Sequence, residues 1–381
     1  MCIFDALKTK PKNHLKLLFL ADLNSNHIVK WALALAEKGY EVGIFTLNGA
    51  DKPWYRDVPN IRIFDNQVIA RKSFIGNSMS KLVYLKANAE LRRVIADFKP
   101  DILHAHYATS YGLLGARSGF HPFIISAWGS DVMDFPDRSV MHRFLLKNNF
   151  KKADLILATG QVISDSIHKI TDKPVEIVSF GVDTTVFCPA AKSFGYSDAD
   201  IVLGTVKSLE AVYGIDILMN AFSLLSLKHP ALPLKLLIVG GGSKEKEYRL
   251  LADQLGITTR CLFTGPVPFR EVPAYHNCLD IFANLSHNES FGVSVLEAEA
   301  CGKPVVASNV GGLKEVMVPG LTGISIPPGD SQAAADAFER LVLNSELRQK
   351  MGSEGRKFVL EKYSWPASLS KMEAFYKELS R

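Results

Sequence analysis

Residues 15–47 read LKLLFLADLNSNHIVKWALALAEKGYEVGIFTL, and the order of their parts decides the fold. LKLLFLADL (15–23) is a short apolar run bounded by turn residues and reads as a strand. IVKWALALAEKG (28–39) follows with apolar residues at helical spacing and stops at Gly39, a residue suited to ending a helix in a left-handed conformation. YEVGIFTL (40–47) is again strand-like. Strand, helix and strand in succession predict a parallel, doubly wound α/β sheet.

The same rhythm extends outward. DILHAHY (101–107), PFIISAW (122–128) and ADLILATG (153–160) add strands, and VEIVSFGVDTTVFCPA (175–190) ends one and runs into a stretch bearing Gly181 and Pro189, where a domain boundary is expected. The second half restarts the pattern with ADIVLGTVK (199–207), a helix over 215–230, LKLLIVGGG (234–242), a helix over 246–257, RCLFTGPV (260–267), CLDIFANLS (278–286) and PVVAS (304–308). The reading is two Rossmann-like domains, 1–188 and 189–364, facing across a cleft at the carboxyl ends of their strands, where open α/β sheets bind ligands. The closing segment SWPASLSKMEAFYKEL (364–379) is an amphipathic helix with no strand after it, so residues 365–381 are expected to cross back onto the first domain.

Length and composition agree. At 381 residues and 47% hydrophobic content the chain exceeds what one core usually supports. A net charge of +5, from 44 basic and 39 acidic residues, does not imply nucleic acid. No apolar run approaches the ~18 to 20 residues needed to span a bilayer, and the opening MCIFDALKTKPKNHLK is too charged for a signal peptide. A soluble, cytoplasmic protein is therefore expected. Its five cysteines, Cys2, Cys188, Cys261, Cys278 and Cys301, are scattered and include no Cys-x-x-Cys pair, so they are read as free thiols. Residues 70–94 carry Arg71, Lys72, Lys81, Lys86, Arg92 and Arg93 against Glu90 alone. This stretch is either a solvated helix face or a peripheral contact with anionic lipid.

The chemistry concentrates in NESFGVSVLEAEACGKPVVASNVGGLKEV (288–316). A strand leads into a loop, and Gly292 opens a helix whose first turn offers free N–H groups and a positive dipole end to an anion. PVVASNVGGLKEV repeats the device through Gly311 and Gly312, and two such sites side by side suit a pyrophosphate. Carboxylates do not bind phosphates, so Glu289 and Glu297 are matched instead to vicinal hydroxyls. A sugar nucleotide fits that layout. From spacing alone the bland alternative stays open, with Glu289 a helix-terminal charge and Glu297 a surface residue.

The pattern Glu289-Ser-Phe-Gly292, Glu297-Ala, Cys301-Gly302, Pro304-Val-Val and Gly311-Gly312 resembles the paired-glutamate signature of retaining glycosyltransferase family 4, which has the GT-B fold. The likeness extends to HIVKWALALAEKGYEV (27–42), AWGSDV (127–132), FGVDTTVF (180–187), GTVKSLE (204–210) and LLIVGGG (236–242). It implies a nucleotide-sugar donor on the C-terminal domain and an acceptor on the N-terminal one. Carried over, Glu289 binds the transferred sugar, Glu297 the ribose hydroxyls, the backbone of Phe291, Gly292 and Val293 the sugar and diphosphate, and Lys207 the diphosphate. The backbone near Val267 reads the base, and Gly241 belongs to the donor-binding set.

Two departures stand out. Many members place a second basic residue just before the glycine equivalent to Gly214, whereas this chain has Val212 and Tyr213 there. Where many have a His-Gly pair, it has Trp128-Gly129-Ser130-Asp131, which leaves Asp131 as the candidate in that loop.

His104 and His106 lie on one strand face, but no third metal ligand presents itself; His106, near the strand end, is the better candidate for the cleft. Asp198 and Asp200 spell Asp-x-Asp, here read as capping a strand. The expectation is a metal-independent, cofactor-free retaining transferase that moves a hexose-type sugar from a nucleoside diphosphate to a glycan or lipid-linked acceptor. Its rivals are a nucleotide-sugar 2-epimerase on the same scaffold and a catalytically weakened sugar-nucleotide binder.

Overall fold

The structure is a computed structural model and describes residues 15–49, 53–66, 79–197 and 199–381, with the side chains of 79–85 excepted. Its apolar runs become strands because parallel sheets are covered on both faces. The first sheet comprises β1 (Lys16–Leu20), β2 (Glu41–Thr46), β3 (Ile61–Asp65), β4 (Ile102–His106), β5 (Phe123–Ala127), β6 (Leu155–Ala158) and β7 (Val175–Ile177). The strands are parallel, in the order β3-β2-β1-β4-β5-β6-β7. The second holds β8 (Ile201–Val206), β9 (Leu234–Val239), β10 (Cys261–Phe263), β11 (Ile281–Asn284), β12 (Val305–Ser308) and β13 (Gly323–Ile326). It too is parallel, in the order β10-β9-β8-β11-β12-β13.

The helix Asn26–Glu37 between β1 and β2 buries Ile28, Trp31, Ala32, Leu35 and Ala36, the spacing of one helical stripe. It ends where Gly39 adopts a φ of +90° and its N–H bonds the Ala36 carbonyl. In each sheet the strand order reverses at one place, between β1 and β4 in the first and between β8 and β11 in the second. At such a switch point the loops leaving the two strands diverge and open a crevice at their carboxyl ends.

The chain divides into two units: one runs to Ser179 and includes Leu369–Arg381, and the other is Phe180–Ser368. The sequence boundary of 188 differs from this division by a segment that joins the second unit through its backbone. Val182 N–H donates to the Tyr363 carbonyl at 2.7 Å, and Trp365 N–H donates to the Val182 carbonyl at 2.8 Å. The closing helix, Trp365–Leu379, does return to the first unit. There Tyr40 donates to Glu373 at 3.2 Å, and the Tyr376 hydroxyl meets His104 Nδ1 at 2.8 Å.

Candidate active site

Lys207 is the residue after β8, and Glu289 lies in the loop after β11, so the two strands flanking the switch point of the second sheet each supply one charge. Their side chains form an ion pair, and both are largely buried, at 12% and 11% exposure. The register places Val206 opposite Val239, so Lys207 leaves the sheet level with Gly240. Gly240 has a φ of +130°, and a Cβ there would lie 2.0 Å from the Lys207 carbonyl oxygen. Only glycine fits that approach. Gly240 N–H also donates to the Gly265 carbonyl at 3.1 Å, and a Cβ on Gly241 would meet the Pro266 ring at 2.8 Å. The glycine turn that holds Gly241 is thus packed against the Gly265–Pro268 segment that holds Val267.

Tyr213 contributes a second contact to Lys207. Its ring lies 4.4 Å from the ammonium nitrogen, a cation–π arrangement. It is delivered by the short 3-10 turn Ala211–Tyr213, which closes on Gly214 at a φ of +63°. Burial, followed by the nearby carboxylates of Glu289 and Glu210, raises the Tyr213 hydroxyl above its ordinary value. It is a neutral phenol beside the cation.

The loop of Glu289 is fastened by its main chain, whose carbonyl accepts from Gly312 N–H at 2.9 Å. Beyond it, Phe291 buries its ring against Phe180 and Tyr363, with centroids 5.9 and 6.0 Å away. Its backbone is left at the start of the helix Val293–Ala300, which Gly292 opens at a φ of +103°. The first turn, from Val293, presents N–H groups and the positive dipole end. Glu297 sits one turn on, 13% exposed, with Oε2 at 3.5 Å from Nε2 of the fully buried His276.

His276 escaped the sequence reading. It lies on the helix Val272–Cys278, just past the Val267 segment, and is enclosed by the rings of Phe187 and Phe282. Neither of its ring nitrogens has a hydrogen-bond partner among the described residues, so the Glu297 carboxylate is the polar group in ion-pair range. No local motif signals this contact, because it joins two helices distant in sequence.

The structure thus brings Lys207, Gly241, Val267, Glu289, Phe291, Gly292, Val293 and Glu297 onto the loops and the helix start that follow the strands of the second sheet. His106 and Asp131 belong to the first unit. His106 ends β4 at that unit's switch point, and its ring is packed by His104, Phe19 and Trp128, with centroids 4.0, 4.5 and 5.5 Å away. Both its nitrogens lack partners among the described residues, and burial lowers its pKa to about 3, so the imidazole is neutral. Asp131 is buried and accepts from the N–H groups of Ala108, Gly129 and Trp128 at 2.7, 2.8 and 3.1 Å. Burial raises its pKa against the pull of these donors. Its carboxylate ties together the loops leaving β4 and β5, the work of a positioning residue.

His104 is engaged by Tyr376 and by Ser126, each at 2.8 Å. Asp200 accepts from the Ser197 N–H and hydroxyl, whereas Asp198 lies outside the described residues. Among the described residues no three His, Cys, Asp or Glu side chains converge as a metal site, and Cys188, Cys261, Cys278 and Cys301 are free. In the basic stretch, residues 70–78 and the Lys81 side chain lie outside the described set. Lys86, Arg92 and Arg93 are exposed, and Arg93 pairs with Glu90 at 3.2 Å. Among the described residues no helix is long and apolar enough to cross a membrane.

Comparison with known proteins places this geometry. The family described as glycosyl transferases group 1 matches residues 191–358, and the glycosyl transferase 4-like family matches residues 16–160. The D-inositol 3-phosphate glycosyltransferase of Corynebacterium jeikeium is 34% identical, with 73% of this chain and 72% of that protein aligned. The N-acetyl-alpha-D-glucosaminyl L-malate synthase of Bacillus anthracis is 27% identical over 91% of each chain. Sucrose-phosphate synthase from Thermosynechococcus elongatus shares the fold, with a TM-score of 0.82 at 20% identity over 96% of this chain and 99% of that one. The chain belongs to the group 1 glycosyltransferases, family 4, with the GT-B fold. It is a glycosyltransferase.

Proposed function

We propose that the chain transfers a hexose-type sugar from a nucleoside diphosphate with retention of anomeric configuration. The observation that carries this reading is the buried Lys207–Glu289 pair beside the Gly292 helix start, a cation and dipole for a diphosphate next to a carboxylate for sugar hydroxyls. Glu297 takes the ribose hydroxyls, held by His276, and the backbone at Val267 meets the base. Gly241 lets the backbone approach the donor closely. In the reaction the bond from the sugar anomeric carbon to the diphosphate oxygen breaks, and the acceptor oxygen bonds to that carbon from the same face. The departing phosphate oxygen takes the acceptor's proton. Lys207 and the N–H groups from Val293 onward stabilise the charge that develops on the leaving group, so the step is read as independent of metal and cofactor. In the first unit, the neutral His106 offers a nitrogen to an acceptor hydroxyl, and Asp131 holds the loop beside it.

The acceptor is read as a glycan or a lipid-linked hydroxyl compound, with the enzyme cytoplasmic and in peripheral contact with an anionic membrane. The names of the two relatives, for inositol 3-phosphate and L-malate, favour a second reading in which the acceptor is a small anionic alcohol. One experiment needs no acceptor. Slow donor hydrolysis, followed by proton NMR, should release the nucleoside diphosphate and the same sugar with its anomeric configuration retained on first appearance. The inverted anomer would remove the retaining mechanism, and a sugar epimerised at C2 would make the protein an epimerase.

A further inference from the structure

The helix Val140–Lys152 of the first unit presents three of the most exposed large apolar side chains described: Val140 at 86%, Met141 at 76% and Phe144 at 72%. Isolated exposed hydrophobes are ordinary, but a cluster within five residues marks a surface that meets something apolar. The helix is firmly seated: its other side buries Leu146, Asn149 and Phe150, and the Ser139 side chain caps its start by accepting from His142 N–H. Its sequence, VMHRFLLKNNFKK, carries Arg143, Lys147, Lys151 and Lys152 and no carboxylate. At helical spacing Lys147 and Lys151 continue the stripe begun by Val140 and Phe144. The nearby acids, Asp134 and Asp137, lie before the helix and not on it.

We propose that this helix lies in the surface of an anionic membrane, with Val140, Met141 and Phe144 entering the boundary between headgroups and acyl chains and the lysines meeting lipid phosphates. The face this helix turns outward is apolar at its start and cationic toward its end, so one surface offers apolar side chains to the acyl boundary and lysines to the phosphates. A second copy of the chain is the poorer match, because a symmetric contact through this face would enclose Lys147 and Lys151 with no carboxylate from either copy of the helix to pair with them. The proposal rests on the peripheral-membrane reading above and locates it on this helix.

The test is flotation of the full chain with vesicles of phosphatidylcholine alone and with phosphatidylglycerol added, at low salt, alongside size-exclusion chromatography without vesicles. The wild type should float with the anionic vesicles and fall back as salt is raised. Met141→Ser with Phe144→Ser should weaken partitioning by at least about tenfold, and Lys147→Ala and Lys151→Ala by about fivefold each. Melting temperature and donor affinity should be unchanged in every variant, because these side chains are exposed. If the wild type floats and the variants float equally well, this helix is not the contact, although membrane binding itself stands. A wild type that floats with neither vesicle overturns the membrane reading as a whole. A dimer that Met141→Ser with Phe144→Ser dissolves would assign the face to a second copy instead.

Discussion

At the scale of single residues, the ion pair sets the Glu289 carboxylate on Lys207, the cation proposed to hold the diphosphate. Removing the carboxylate therefore separates two quantities that a simple binding residue would lower together. In Glu289→Ala, affinity for the bare nucleoside diphosphate should hold or tighten, while transfer falls by about 10² to 10³, the usual effect of losing a group aimed at the reacting centre. Calorimetric titration beside a turnover assay checks this, and parallel losses in both would contradict the assignment of Glu289 to the sugar.

Glu299, two residues past Glu297, is a different kind of carboxyl. It is buried, its oxygens lack hydrogen-bond partners of good geometry among the described residues, and burial raises its pKa well above the ordinary 4.5. With the folded value raised, the proton is held more tightly in the fold than in the unfolded chain. The stabilisation is complete below about 4.5 and drains as pH rises toward the folded value, by at most about 1.4 kcal/mol per pH unit. Glu299→Gln should thus gain stability relative to wild type as pH rises from 5 to 8. A stability difference between the two proteins that is the same at pH 5 and pH 8 in urea melts would show that the carboxyl is not held protonated by the fold.

Elements decide how those residues are delivered. The 3-10 turn Ala211–Tyr213 offers an aromatic ring to the Lys207 cation. If that ring positions Lys207, Tyr213→Phe should behave like wild type. Tyr213→Leu should weaken nucleoside diphosphate binding about two- to fivefold, matching ~0.5 to 1 kcal/mol for a partly screened cation–π contact. Identical affinities for the two variants would leave the ring without that role. This contact illustrates the limit of reading by pattern. β1, β2, β4 and β5 were legible as continuous apolar runs, and Glu289 and Glu297 stood out around a glycine that opens a helix. By contrast β3, IRIFD, and β13, GISI, are short edge strands with partly exposed residues, and their patterns are too weak to register. The Lys207–Glu289 pair spans 82 residues of sequence, and resemblance to a family, not spacing, named Lys207. His276 and the ring of Tyr213 act through packing alone, which no local motif encodes.

At the scale of the whole molecule, each unit is a doubly wound sheet whose order reverses once, and in the second unit that reversal brings together Lys207 and Glu289, the pair proposed to meet the donor. The loops leaving β8 and β11 are the ones that diverge to make room for a ligand. In the proposed function, Lys207 and the Gly292 helix start supply the charge needed to hold a nucleoside diphosphate sugar. The most direct measurement is calorimetric titration of a nucleoside diphosphate sugar into the full chain in EDTA, with wild type and Lys207→Ala compared. Binding should survive EDTA and weaken by about tenfold to a hundredfold in Lys207→Ala, the range for losing a charge-assisted hydrogen bond. Binding that appears only when manganese or magnesium is added, or that Lys207→Ala leaves undiminished, would contradict the proposed function.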